Sequence, residues 1–105
     1  MLEPAFYPRP PAEVTHKETH ISHIFFADEL VYKIKKAVSY SFLDFSTVAK
    51  RRHFLNEELR LNRRLAPSVY LEVLPVTKMD RSFKLAGEGK AVDHVLVMRR
   101  LPDMG

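Results

Sequence analysis

"VAKRRHFLNEELRLNRRLA", residues 48–66, is the stretch that decides the fold. It runs through good helix formers without Gly or Pro, the hydroxyls of Ser46 and Thr47 stand ready to cap its first turn, and Pro67 stops it. The pattern predicts one strong helix. On both sides the chain changes character. Upstream, "EVTHKETHISHIFF" (13–26) and "LVYKIKK" (30–36) are rich in β-branched and aromatic residues, with "ADE" as a short turn between them. Downstream come "VYLEVLPV" (69–76), "SFKL" (82–85), a Gly-containing turn at "AGEGK" (86–90) and "AVDHVLVM" (91–98). Strands, helix, strands is the order of an α+β domain with an antiparallel sheet.

The chain has 105 residues, which suits one domain with a modest core. Pro4, Pro8, Pro10 and Pro11 mark residues 1–12 as an extended leader that packs loosely or wraps the domain, leaving 13–105 as the folded unit. There is no cysteine, so disulfides and thiolate zinc sites are excluded and a cytoplasmic setting is the default. The start lacks a basic segment followed by an apolar run, and no stretch approaches the ~20 apolar residues of a membrane span. A soluble protein with no membrane partner is expected.

The net charge of +4 is concentrated. Six basic residues, Lys50, Arg51, Arg52, Arg60, Arg63 and Arg64, against Glu57 and Glu58 account for all of it. On a helical wheel Val48, Phe54, Leu55, Leu59, Leu61 and Leu65 define an apolar arc that faces the core. Glu58 falls inside that arc, whereas Glu57 falls among His53, Arg60, Arg64 and Lys50 on the solvent side. A carboxylate on a buried face needs a partner. Alternation in "LVYKIK" gives one face to Leu30, Tyr32 and Ile34 and the other to Val31, Lys33 and Lys35, so a strand lysine beneath the helix is one candidate. Arg51 and Asn62, on the same arc of the helix, are the others.

A Lys-Glu pair bridging strand and helix is the device with which kinases hold a lysine on nucleotide phosphates. Three segments in order, "ETHISHIFFADELVYKIKK" (18–36), "FLDFST" (42–47) with the helix that follows, and "HVLVMRRLP" (94–102), resemble the N-terminal lobe of aminoglycoside phosphotransferase-like kinases. They are especially similar to bacterial proteins in which such a domain precedes a P-loop ATPase domain. The resemblance implies a protein-kinase-like N-lobe: a five-stranded antiparallel sheet with one major helix after the third strand. It implies ATP as cofactor, Lys33 as the phosphate-contacting lysine with Lys35 as runner-up, and Glu58 as the residue that positions it. It also places Thr19, His20, Ile21 and Ser22 over the phosphates, Val31 and Met98 beside the adenine, and the backbone of Arg99, Arg100 and Leu101 at its edge.

The pattern departs from the family in places. Gly87, Gly89 and Gly105 are the only glycines, so there is no glycine-rich phosphate loop. The catalytic Asp and the magnesium ligands of such kinases belong to a C-terminal lobe, and this sequence stops at the hinge. The expectation is therefore a nucleotide-binding lobe that is inactive alone, with its own C-terminal lobe as partner if a longer chain exists, and with magnesium only in that context. A rival reading is a non-catalytic module that binds an acidic partner or RNA through Lys50, Arg60, Arg63 and Arg64, although a solvated basic helix face needs no nucleic acid to explain it. A third is a kinase-like scaffold without nucleotide.

Other sites carry less. His16, His20 and His23 lack the spacing of a usual zinc set, since His16 and His20 share a strand face and His23 does not, so no metal is expected. His94 reads as a satisfied core or hinge-proximal residue. Asp44 reads as ordering the start of the helix. Lys35 and Lys36 read as a solvated strand end.

Overall fold

Two residues of turn, Asp28 and Glu29, join the strands that set up the whole domain. In the computed structural model, which describes residues 6–7, 11–40 and 43–101, β2 (Ser22–Ala27) turns back into β3 (Leu30–Lys35) at Asp28, whose φ is 55°. That left-handed backbone is one that aspartate tolerates better than most residues. Ser41, Phe42, Pro102 and residues 1–5 and 8–10 of the leader lie outside the described residues.

Around this hairpin the strands β1 (Val14–Glu18), β6 (Tyr70–Met79), β7 (Ser82–Leu85) and β8 (Lys90–Arg99) complete a sheet of six strands. All pairs are antiparallel and the order is β1-β2-β3-β8-β6-β7. A two-stranded ribbon, β4 (Ser39–Tyr40) and β5 (Leu43–Asp44), leads into the single helix α1 (Val48–Arg63). The domain is α+β with the helix after the third strand of an antiparallel sheet, but the sheet has six strands and not five. The extra one is "SFKL": a turn at Asp80, with φ 56°, folds it back onto β6 as an edge strand, Val76 opposite Leu85 and Met79 opposite Ser82.

Pro75 sits in β6 without breaking it. Its carbonyl accepts from the Ala86 amide at 2.7 Å, and a strand residue's N–H and C=O point the same way. The donor it lacks therefore faces the β7 edge, where pairing begins only at Val76, and the ladder to β8 is untouched.

Both faces of the sheet are covered. On one, Phe25, Ala27, Tyr32, Val76, Leu85, Val95 and Val97 form a core that also includes Phe6 and Tyr7 from the leader. The Tyr7 ring lies 4.8 Å from that of Tyr32 and Phe6 meets Tyr7 edge-on at 5.1 Å. At these two residues the leader is neither loose nor merely wrapped around the domain: it fills one face, because two aromatics bury far more surface than their proline neighbours forbid.

On the other face Phe26, Val31, Leu96 and Met98 meet Leu55 and Leu59 of α1. The Thr47 hydroxyl caps the helix by accepting from the Lys50 amide at 3.2 Å, and the amides of Leu65 and Ala66 close it on the Asn62 carbonyl. The buried residues of the helix are Arg51 and Leu55, four apart, with Leu59 partly buried in line with them, rather than the whole apolar arc. Leu61 is 51% exposed and Leu65 87%, so these two do not face the core. No helix among the described residues is long and apolar enough to cross a membrane.

Candidate functional site

Glu58 follows the row Arg51–Leu55 by three residues, which swings it to the rim of the buried face and over β3. There Val31, Lys33 and Lys35 all point toward the helix, as alternation requires, with Lys33 between Ile24 of β2 and Leu96 of β8. Both lysines reach the same carboxylate. Lys33 Nζ donates to Glu58 Oε2 at 2.9 Å, and Lys35 Nζ stands 3.3 Å from Oε1. The pair expected between Lys33 and Glu58 is formed, and Lys35 joins it.

The two lysines differ in access. The Lys33 side chain is 23% exposed and that of Glu58 21%, while Lys35 is down to 6%. Lys35 is therefore not part of a solvated strand end. Its ammonium group lies 5.3 Å from the centre of the Phe45 ring, and Phe45, itself buried, packs edge-on against Phe54 of α1 at 4.9 Å. Lys36 is also engaged, at 3.0 Å from Glu18 Oε1.

The electrostatics follow from this placement. Burial pushes the Glu58 carboxyl up, but the hydrogen bond and charge of Lys33, then those of Lys35, outweigh it and hold the group below its ordinary range. Lys35 moves down, first because it is buried and next because Lys33 is beside it, with Glu58 opposing both. Two ammonium groups on one carboxylate leave one positive charge uncompensated. The site thus favours an anion and repels a divalent cation, since both oxygens of Glu58 already face cations.

Arg51 is not the partner of Glu58. It is buried, its Nε lies 3.2 Å from Asp93 Oδ1 and its Nη1 donates to the Phe45 carbonyl at 2.8 Å. It ties the helix, β8 and the segment that carries Phe45 into one block. Sequence reasoning named Arg51 only as a possible partner of Glu58 and missed Phe45. The available signal was a second charged residue, Arg51, in the same wheel arc as Glu58, with no way to tell which carboxylate it would meet. Asp44 behaves as expected at the start of the helix: Oδ1 accepts from the Ser46 amide and hydroxyl, and Oδ2 bonds Lys50. These bonds, led by the one from Lys50, keep its carboxyl low.

The turn Thr19–Ser22 lies at the Lys35 end of β3, with Ser22 opposite Lys35. Three of its amides are engaged: those of Ile21 and Ser22 donate to Thr19 Oγ1 at 3.4 and 3.0 Å and that of Thr19 to the Ser22 carbonyl at 2.9 Å. Ser22 Oγ is buried without a partner among the described residues, and His20 is exposed. Val31 and Met98 are opposite one another and buried beneath the helix side of the sheet. Arg99, Arg100 and Leu101 follow at the far end of β3, away from Lys35. Two amides there are already bonded, Arg99 to the Val69 carbonyl and Arg100 to that of Glu29, each at 2.7 Å. The Arg100 guanidinium covers the Phe26 ring at 5.1 Å.

The histidines depart from expectation as well. His16 shares its site with His23 across the hairpin, Nε2 to Nδ1 at 2.9 Å, while His20 sits in the turn. His94 is not satisfied: its Nδ1 is buried without a partner among the described residues, and burial followed by the charge of Arg52 lowers its pKa. Of the four helix cations in the rival reading, Lys50 is bonded to Asp44 and Arg60 to Glu57, which leaves Arg63 and Arg64.

No family profile matches the chain, and no solved structure matches it. It is similar to an uncharacterized protein of Mycobacterium bovis and to uncharacterized proteins of Mycobacterium tuberculosis, 34% identical over 87 residues in each case. The matched segment covers 83% of this chain and 16% of each relative, so the chain spans about a sixth of the length of the proteins it resembles.

Proposed function

We propose that this chain is the nucleotide-binding lobe of an ATP-dependent small-molecule phosphotransferase of the aminoglycoside phosphotransferase-like kind. The reading rests on one observation: Glu58 of α1 holds Lys33 of β3, so a strand lysine is presented by a helix carboxylate in the manner kinases use for α- and β-phosphates. The uncompensated positive charge at Lys33 suits a polyphosphate. Val31 and Met98 lie on the same face as Lys33 but are packed in the core beside Leu55 and Leu96, so they offer no open surface to an aromatic base and the reading does not rest on them. Set aside the edge strand β7 and the sheet retains five strands, with the helix after the third.

In this reading Lys33 contacts phosphate oxygens and Glu58 orients it. The acceptor of the phosphoryl group, the catalytic Asp and the magnesium ligands are assigned to chain beyond these 105 residues. The isolated chain accordingly binds ATP weakly and transfers nothing. Thermal melting with millimolar ATP and with a non-hydrolysable analogue tests this. The wild-type midpoint is expected to rise, and that of Lys33→Met is expected not to. A wild-type midpoint indifferent to both nucleotides overturns the proposal.

A further inference from the structure

Resting on that reading, we infer that this lobe holds a nucleoside triphosphate by its phosphates and does not discriminate among bases. The phosphate grip needs no rearrangement. An ammonium group carries three donors, and Lys33 uses one on Glu58 Oε2 at 2.9 Å, so with its side chain partly open it can meet phosphate oxygens while the pair stays formed. More cations stand beside it. Lys17 is opposite Ile24 of β2, and Ile24 is opposite Lys33, so the two lysines lie in one row across β1, β2 and β3. Directly opposed residues point to the same face. Helix α1 lands on β8 and β6, which leaves this row on the half of the face beyond the helix.

The groups that would recognise a base are occupied by the fold itself. Val31 and Met98 are sealed beneath α1. Of the amides from Arg99 to Leu101, that of Arg99 is bonded to the Val69 carbonyl and that of Arg100 to the Glu29 carbonyl, each at 2.7 Å. Phe26, buried and one row beyond Ile24, already carries two cations on its ring, the Arg100 guanidinium at 5.1 Å and Lys17 Nζ at 5.6 Å. Selective base recognition needs an apolar slot with a few precisely placed polar groups. This face offers charge in its place, and charge attracts every triphosphate alike.

The test is NMR titration of the nitrogen-15-labelled 105-residue chain with ATP, GTP, CTP, inorganic triphosphate and adenosine at one ionic strength. The three nucleotides and inorganic triphosphate are expected to bind within about threefold of one another, and adenosine to shift no resonance at millimolar concentration. Lys33→Met, with a thermal melt to show that it folds, is expected to weaken all four anions to the same degree. An ATP affinity more than about threefold above that of GTP or of inorganic triphosphate overturns the inference and leaves the nucleotide reading standing. So does a Lys33→Met chain that keeps ATP and loses inorganic triphosphate, since ATP would then be held by its base. Binding of none of the four anions overturns the nucleotide reading, and the inference falls with it.

Discussion

Tyr32 and Lys33 are neighbours in β3 and look onto different interiors. Tyr32 points into a face lined by apolar and aromatic groups, Phe6 and Tyr7 among them. Lys33 points into a face that begins the same way, with Val31, Leu96 and Leu55, and ends in three charges held by one another. The first face loses nothing by being sealed. The second leaves Lys33 partly open and carries one more cation than carboxylate in this cluster. Apolar packing dominates one side of the sheet, and the other side adds a charged cluster at its rim.

The most severe way to break this contrast is at the apolar face. Replacing Phe6 and Tyr7 together by alanine removes two buried rings and is expected to cost about 5 kcal/mol or more, read from urea unfolding, and to leave a chain folded only partly at 37 °C. A loss under about 1 kcal/mol would mean that the leader contributes nothing to that face and that the sheet closes without it.

Next comes the helix row. Leu55 is fully buried against Leu96 and Met98, so Leu55→Ala is expected to cost about 3 kcal/mol. Leu61, six residues on and 51% exposed, should tolerate the same change within about 0.5 kcal/mol. Comparable losses at the two positions would reverse the assignment of the buried row.

These positions show what was legible in advance. Alternation assigned each residue of β3 to its face, and the wheel separated Glu58 from Glu57, because both depend only on local periodicity. The wheel could not choose between two adjacent rows, 51–55–59 and 54–61–65, since that choice is made by where the helix lands on β8 and β6. Lys35 failed for the same kind of reason. A lysine near a strand end is ordinarily solvated, and only Phe45, ten residues further on, covers it. Phe6 and Tyr7 were hidden by the prolines around them, which announce an extended chain and say nothing of what its aromatics touch. "SFKL" was legible as a strand from its residues; the count of five came from the resemblance, and the turn at Asp80 adds this segment to the sheet's edge.

At the charged face the expected effects are smaller and depend on pH. Glu58→Gln leaves two ammonium groups facing one amide and is expected to cost about 1 to 2 kcal/mol at neutral pH. The sign of the pH dependence follows from the direction of the shift. The Glu58 carboxyl is held below its ordinary 4.5, so its contribution is complete above that value and is lost as pH falls through the lower, folded-state pKa. Wild type and Glu58→Gln should therefore differ in urea at pH 7 and converge in acid. Lys35, shifted down from 10.5, adds a rise in stability as pH climbs between its folded and ordinary values. A gap that persists unchanged into acid would show that Glu58 stabilises the fold by packing and not by charge.

The smallest effect is expected one residue away. Glu57 bonds Arg60 at 2.6 Å, shorter than either contact of Glu58, and its carboxyl is likewise held low, chiefly by that hydrogen bond. Yet both partners stand in solvent, where water competes for the same bond and two long side chains lose freedom to make it. Glu57→Gln should leave the unfolding midpoint unchanged within error at any salt concentration. It should leave ATP affinity unchanged as well, because no charge near Lys33 is altered through a buried contact. The adjacent pair 57 and 58 thus holds residue type and helix constant and varies only burial. If Glu57→Gln destabilised as much as Glu58→Gln, the distinction between the sheltered carboxylate and the solvated one would collapse, and with it the ground for singling out Glu58.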